Sequence, residues 1–304
     1  MGQYSKLESL SIRLDSRETE TLDFLTNLPF LKEFSFSSNL LKPRQGPLRR
    51  LPALTKLEKL SVYLNGSTLF EMNHIQEFIS NNKALKNLSL GLSIQNIANI
   101  FGEDDDVNFR LPLIESLHLD LITCQKPYAA AAKMIAQTLK KLDCIKQLSL
   151  EIEQSSPDLN AILLKQGVAS VKGLEELTLK YHITAGLEDN KFKHLKDVFV
   201  NLENLKVIEL DLSSDHLSSR EFSSLLDSLS RQMGLQKFKF TGKVTKWTPV
   251  VSAKLLDFFV SIQHLGVLKI FLRGIPEENG VKIKESLLPK FPLSQDTFSF
   301  FPNI

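Results

Sequence analysis

One frame, Leu-x-x-Leu-x-Leu, returns ten times along this chain and limits its fold more than any other feature. The anchors are Leu7/Leu10/Ile12, Leu31/Phe34/Phe36, Leu57/Leu60/Val62, Leu85/Leu88/Leu90 and Ile114/Leu117/Leu119. They continue with Ile145/Leu148/Leu150, Leu174/Leu177/Leu179, Leu205/Ile208/Leu210, Leu235/Phe238/Phe240 and Leu265/Leu268/Ile270. An eleventh, incomplete frame (Gln295, Phe298, Phe300) follows one period later. A fixed period of about thirty residues predicts a solenoid, in which no unit buries its apolar face without its neighbours. The expected architecture is therefore one elongated α/β domain over residues 1–304, with repeats starting near 7, 31, 57, 85, 114, 145, 174, 205, 235 and 265 and a partial repeat at 295–304.

Within a repeat the period changes. Apolar residues alternate from Leu177 through Leu179 to Tyr181, the pattern of a half-buried strand. Lys191, Phe192, Leu195, Val198, Phe199 and Leu202 then follow helical spacing. Pro157 after Ser156 and Pro249 after Thr248 read as first-turn prolines behind capping hydroxyls. Lys126 to Leu142, with its alanine run, has the strongest helical propensity. The unit is strand, loop, helix, return, so successive strands should be parallel neighbours. A second periodicity supports that register: the residue after each first anchor reads Glu8, Lys32, Glu58, Lys86, Glu115, Lys146, Glu175, Lys206. Opposite charges on adjacent strands would stand about 4.8 Å apart.

These residues resemble the leucine-rich repeat superfamily over residues 7 to 300, and the repeat length is similar to its ribonuclease-inhibitor-like subclass. The resemblance implies a horseshoe of ten to eleven repeats, with the parallel sheet on its concave face and helices on its convex face. The sequence departs from the family where Asn or Cys usually follows the third anchor. Only Asn39 and Asn65 fit, while Asp15, Ser93, Glu153, His182 and Ser213 stand elsewhere. Many repeats instead extend the alternation to one more apolar residue: Leu14, Leu64, Leu92, Leu121, Ile152, Leu212 and Leu272.

Charge is nearly balanced overall, at +2, but residues 231–304 carry eleven Lys/Arg against five Asp/Glu. That asymmetry suits an acidic partner. Two basic or acidic insertions, Lys42 to Arg50 and Glu103 to Asp106, read as solvated loops. Cys124 and Cys144 fall at opposite ends of neighbouring strands, roughly 20 Å apart at about 3.3 Å per residue, too far for a disulfide. Free thiols, with no apolar run of signal-peptide or membrane-span length, place the expected location inside the cell, in the cytoplasm, and away from membrane.

The search for chemistry centres on the outward strand positions: Ser11, Ser35, Ser61, Ser89, His118, Ser149, Thr178, Glu209, Lys239 and Lys269. His118 stands among Ser89, Ser149, Asp120 and Glu151, the residue types of a Ser/His/acid relay. Side chains on a sheet project in parallel, however, and nothing supplies an oxyanion hole. No metal-ligand spacing or phosphate loop occurs. The expected protein is therefore no enzyme and takes no cofactor or metal.

Towards the C-terminus the same face gains charge and apolar area. Lys237, Lys239, Trp247, Val267, Lys269, Phe271 and Phe301 are the expected partner-binding residues, with Trp247 placed on the loop after strand nine, beside Lys243 and Lys246, where it either anchors a partner or folds back over the helix of its own repeat. Stacking aromatics are too few for single-stranded nucleic acid. Neither end shows a polar capping unit, which suits a subunit of a larger assembly. The expected function is a non-enzymatic protein–protein interaction scaffold, binding through the concave sheet and rim loops. The alternative is a regulator of an enzyme, either a small-GTPase activator or the recognition module of a ubiquitin ligase.

Overall fold

A parallel strand pair cannot be joined by a tight turn, so each crossover must carry the chain back over one face of the sheet. The computed structural model describes residues 6–14, 22–38, 51–64, 69–102, 113–122, 129–153, 159, 161–182, 193–262, 265–287 and 298–301. Their contacts group into two compact α/β units, Met1–Leu150 and Glu151–Ile304.

In the first unit, strands β1 (Ser9–Leu14), β2 (Glu33–Ser38), β3 (Lys59–Leu64), β4 (Asn87–Ser93), β5 (Ser116–Ile122) and β6 (from Gln147) lie in chain order. β1 to β5 pair in parallel with anchor opposite anchor, so Leu10, Phe34, Leu60, Leu88 and Leu117 form one row. The crossovers carry a 3-10 helix (Asp23–Asn27) and helices α1 (Leu69–Asn81), α2 (Ile94–Phe101) and α3 (Ala129–Lys141). These helices pack side by side. Strand alternation decides which residues meet them. Leu60, Val62 and Leu64 are buried, while Lys59, Ser61 and Tyr63 face away.

The second unit repeats the plan. A π-helical segment (Ala161–Gly167) and a 3-10 turn (Val168–Ser170) precede β7 (Glu176–His182), α4 (Lys193–Asn201) and β8 (Val207–Leu217). Then come α5 (Ser219–Leu229), β9 (Lys237–Val244), α6 (Pro249–Ser261), β10 (Val267–Arg273), α7 (Glu277–Leu287) and β11 (Phe298–Phe301). β7 to β11 are parallel neighbours in that order. The incomplete eleventh frame thus forms a strand. The core of this unit is rich in phenylalanine: Phe238 meets Phe258 edge-on at 5.3 Å, and Phe222 lies 5.4 Å from Phe240.

β2 to β6, and in the second unit β8 to β10, begin in the same way. The carbonyl of Glu8 accepts the N–H groups of both Lys32 (2.8 Å) and Glu33 (2.9 Å). Lys32, Glu58, Lys86 and Glu115 do the same for the strands that follow them in the first unit, as do Glu175, Lys206 and Gln236 in the second. The alternating charges belong to these residues. Their side chains pair at Lys32–Glu8 (3.1 Å), Lys86–Glu115 (3.9 Å) and Lys206–Glu175 (2.7 Å). All are exposed, so each contributes only about 0.2–1 kcal/mol, and their effect is on register.

A second recurrent bond turns the chain from helix to strand. The first anchor donates its N–H to the carbonyl three residues earlier: Leu31 to Leu28, Leu57 to Leu54, Leu85 to Asn82, Leu174 to Val171, Leu235 to Gln232. That position is apolar in most repeats. Asn82 and Gln232 are polar there and still buried. Asn82 donates to the Phe78 carbonyl (2.5 Å) and accepts the Leu54 N–H (2.7 Å), tying the end of α1 to the preceding repeat. Gln232 donates to the Phe199 carbonyl at the end of α4 (2.5 Å).

Helix boundaries follow local chemistry. Thr248 caps α6 by accepting the Val251 N–H, with Pro249 in the first turn. Ser218 and Glu221 form a capping box at α5. Ser93 caps α2 by accepting the Asn96 N–H, and Gly102 ends that helix at φ 77°. Asn39, Asn65, Pro157 and the 42–50 and 103–106 insertions lie outside the described residues.

Replacing Asn82 with Ala leaves the Leu54 N–H and Phe78 carbonyl buried without this partner, and should lower the unfolding free energy by about 1–3 kcal/mol. Leu119→Ala, in the fully buried row, should cost about 2–5 kcal/mol. Urea titration measures both, and a surface-like loss below about 0.5 kcal/mol at either position would contradict the packing described.

Candidate protein-binding face

The strand residues that point away from the helices form rows across the second unit. One row runs Thr178, Glu209, Lys239, Lys269; the next runs Lys180, Asp211, Thr241, Phe271. Val207, Lys237 and Val267 form a third. A β-bulge between Leu212 and His216 shifts β8 so that His216 meets Lys243, which in turn stands opposite Arg273. Lys243 is therefore a strand residue, where sequence reading puts it on the loop beyond.

Electrostatics divide this face. Glu209 binds Lys237 at 2.5 Å and lies 3.7 Å from Lys239. Burial alone would raise the Glu209 carboxyl, but the hydrogen bond from Lys237 and the charges of Lys237 and Lys239 together hold it below its ordinary value. Lys180 pairs with Glu151 at 3.1 Å. Asp211 accepts the Ser213 N–H at 3.0 Å. Among the described residues no carboxylate pairs with Lys243, Lys269 or Arg273.

Of the residues expected from sequence, Lys237, Lys239, Val267, Lys269 and Phe271 come together here. Val267 is 41% exposed, Lys269 is exposed and Phe271 is half-buried. Trp247 turns the other way. Its indole N–H donates to Ser252 of α6 at 2.8 Å, and its ring lies 6.0 Å from Phe222 of α5. The indole thus braces the turn between β9 and α6. Phe301 lies in β11 opposite Arg273, and its side chain lies outside the described residues. Arg273 is the residue that sequence reasoning missed, although it follows Lys269 by the same four positions that separate Lys243 from Lys239.

On the corresponding face of the first unit one row is small and uncharged as far as Ser89. Ser11, Ser35, Ser61 and Ser89 stand in one row, with His118 next to Ser89. Tyr63 lies across this row. Its hydroxyl meets the Ser89 hydroxyl at 2.7 Å, and its ring covers Gly91 so closely that a Cβ there would sit 2.1 Å from the ring. The Ser89 hydroxyl beside His118 is therefore engaged with tyrosine. Among the described residues, no three His, Cys, Asp or Glu side chains gather as metal ligands, and no helix is long and apolar enough to cross a membrane. Cys144 is an exposed free thiol, whereas Cys124 lies outside the described residues.

No protein-family model and no curated protein sequence matches the chain. Its structure is similar to the crystal structure of a Bacteroides fragilis protein determined by structural genomics. The TM-score is 0.50 at 14% identity, over 82% of this chain and 66% of the other, just under two thirds of its length. That likeness is one of fold alone.

The lowered Glu209 carboxyl sets a pH dependence. A group whose acidity increases on folding stabilises above its unfolded pKa, and that contribution is lost as pH falls through the folded value. Lys237→Met should move the Glu209 titration, followed by carboxyl NMR, back up towards the ordinary glutamate range. The stability gap between wild type and variant should be widest above that range and close in stronger acid. Identical titration curves for the two proteins would contradict the ion-pair assignment.

Proposed function

We propose that this chain is a non-enzymatic leucine-rich-repeat scaffold, a horseshoe of ten to eleven repeats within one solenoid domain, that binds a partner protein. The observation that carries the reading is the outward face of β9 and β10, where Lys239, Lys243, Lys269 and Arg273 surround Phe271 and stand beside the exposed Val267. An open sheet with cations and apolar surface together has the make-up of an interface rim and its anchors. The resemblance of the repeat to the leucine-rich family supports the architecture, and the parallel α/β fold is consistent with it. The scaffold acts inside the cell, as part of a larger assembly.

The test is the native mass of the complex recovered with this chain from its source. An assembly well above the 34.4 kDa of the chain is expected, and it should be lost when Lys239 and Lys269 are both replaced by Glu. The same pair of substitutions at Ser35 and Ser61 should leave it intact. Recovery of the wild-type chain as a lone monomer would overturn the scaffold reading.

A further inference from the structure

We infer that β9 and β10 bind an extended acidic peptide segment whose pattern is acidic-x-apolar-x-acidic. This inference rests on the partner-binding reading above and specifies the ligand of that face. Its basis is a rectangle of charge. Lys239 stands directly opposite Lys269, and Lys243 directly opposite Arg273, with Thr241 and Phe271 as the pair between them.

Elsewhere the chain alternates charge between neighbouring strands, from Glu8 through Lys206. The alternation stops at Gln236 and Gly266, the equivalent positions on these last repeats. Here two like-charged pairs replace it. Like charges directly opposite each other on a sheet oppose folding. Of these four cations Glu209 reaches only Lys239, at 3.7 Å, so an anion laid over each pair would add the carboxylates that Lys269, Lys243 and Arg273 lack among the described residues.

The two pairs have a definite spacing. Four residues of strand separate Lys239 from Lys243, about 13 Å at roughly 3.3 Å per residue. An extended peptide presents every second side chain to one side, so its first, third and fifth residues span the same distance. A carboxylate at the first position meets the two lysines, and one at the fifth meets Lys243 and the guanidinium fork of Arg273. The third residue lies over Phe271 and requires an apolar side chain.

The width of the strip also selects a peptide. Glu209 and Asp211 border it on β8, so negative potential lies one strand away from the cations. A polynucleotide with a charge at every residue would meet these carboxylates as well as the lysines. Phe271 is the one aromatic side chain on this face among the described residues of β8, β9 and β10, too little for base stacking. Trp247 is committed to Ser252 and Phe222.

The experiment uses the full chain and a fluorescein-labelled nine-residue peptide with Glu at its third and seventh positions, Leu at the fifth, and Ser and Gly elsewhere. Fluorescence anisotropy at low salt should show saturable binding. A peptide of the same composition with its two Glu adjacent should bind at least ten-fold more weakly. Arg273→Gln and Lys269→Gln should each weaken the spaced peptide about ten-fold without lowering the thermal midpoint, since each relieves a facing pair of like charges, and Phe271→Ser should weaken it by a similar factor. Equal affinity for spaced and scrambled peptides would overturn the inference. So would tighter binding of an oligothymidylate of equal charge. If the peptide fails while the cellular complex still depends on Lys239 and Lys269, the ligand assignment falls and the scaffold reading stands.

Discussion

A parallel strand at an open edge presents a row of backbone donors and acceptors that water satisfies only from outside, and here β2 to β6 and β8 to β10 each begin by bonding to the strand before them. A single carbonyl accepts two successive N–H groups of the next strand at Glu8, Lys32, Glu58, Lys86, Glu115, Glu175, Lys206 and Gln236. The bond fixes where the strand starts. Alternation then fixes which side chains go inward, because a slip of one residue would turn every leucine to the other face. The buried rows, the helix positions and the charged rows all inherit their register from that pair of bonds.

The frame and the alternating charges were legible because both are periodic and local. Extra apolar residues such as Leu64, Leu92, Leu121 and Leu272 correctly extended their strands. Thr248 with Pro249 marked a helix start for the same reason, since a cap is a matter of two or three neighbouring residues. Long-range complementarity was hidden. Asn82 looks like a surface residue until the Leu54 N–H is brought to it across 28 positions of chain. The bulge that places Lys243 on a strand depends on pairing with β8, and the orientation of Trp247 depends on Phe222 from the preceding repeat. Arg273 was readable, but only by comparing one repeat with the next at a position outside the leucine frame.

Two sheet faces of different character arise from the same backbone. In the first unit one outward row is serine as far as Ser89, and the Tyr63 ring covers Gly91, so that strip of the surface is smooth and uncharged. In the second, the outward rows carry lysine, arginine and exposed apolar side chains. Inward positions are mostly aliphatic or phenylalanine in both units, with Ser38 and Tyr181 among the exceptions. The fold therefore separates two requirements: one side of each strand answers to packing, while the other is free to vary with a ligand.

The helical layer shows how loosely that packing is specified. The segment that returns to the sheet is a 3-10 helix at Asp23–Asn27, an α-helix at Leu69–Asn81 and a π-helix at Ala161–Gly167. These differ in residues per turn, yet each delivers a buried apolar side and a correctly placed strand start. Residues can thus be gained or lost in the return segment without shifting the ladder. Such a chain tolerates length change between strands far better than within them, so the crossovers are its natural points for accepting an inserted sequence.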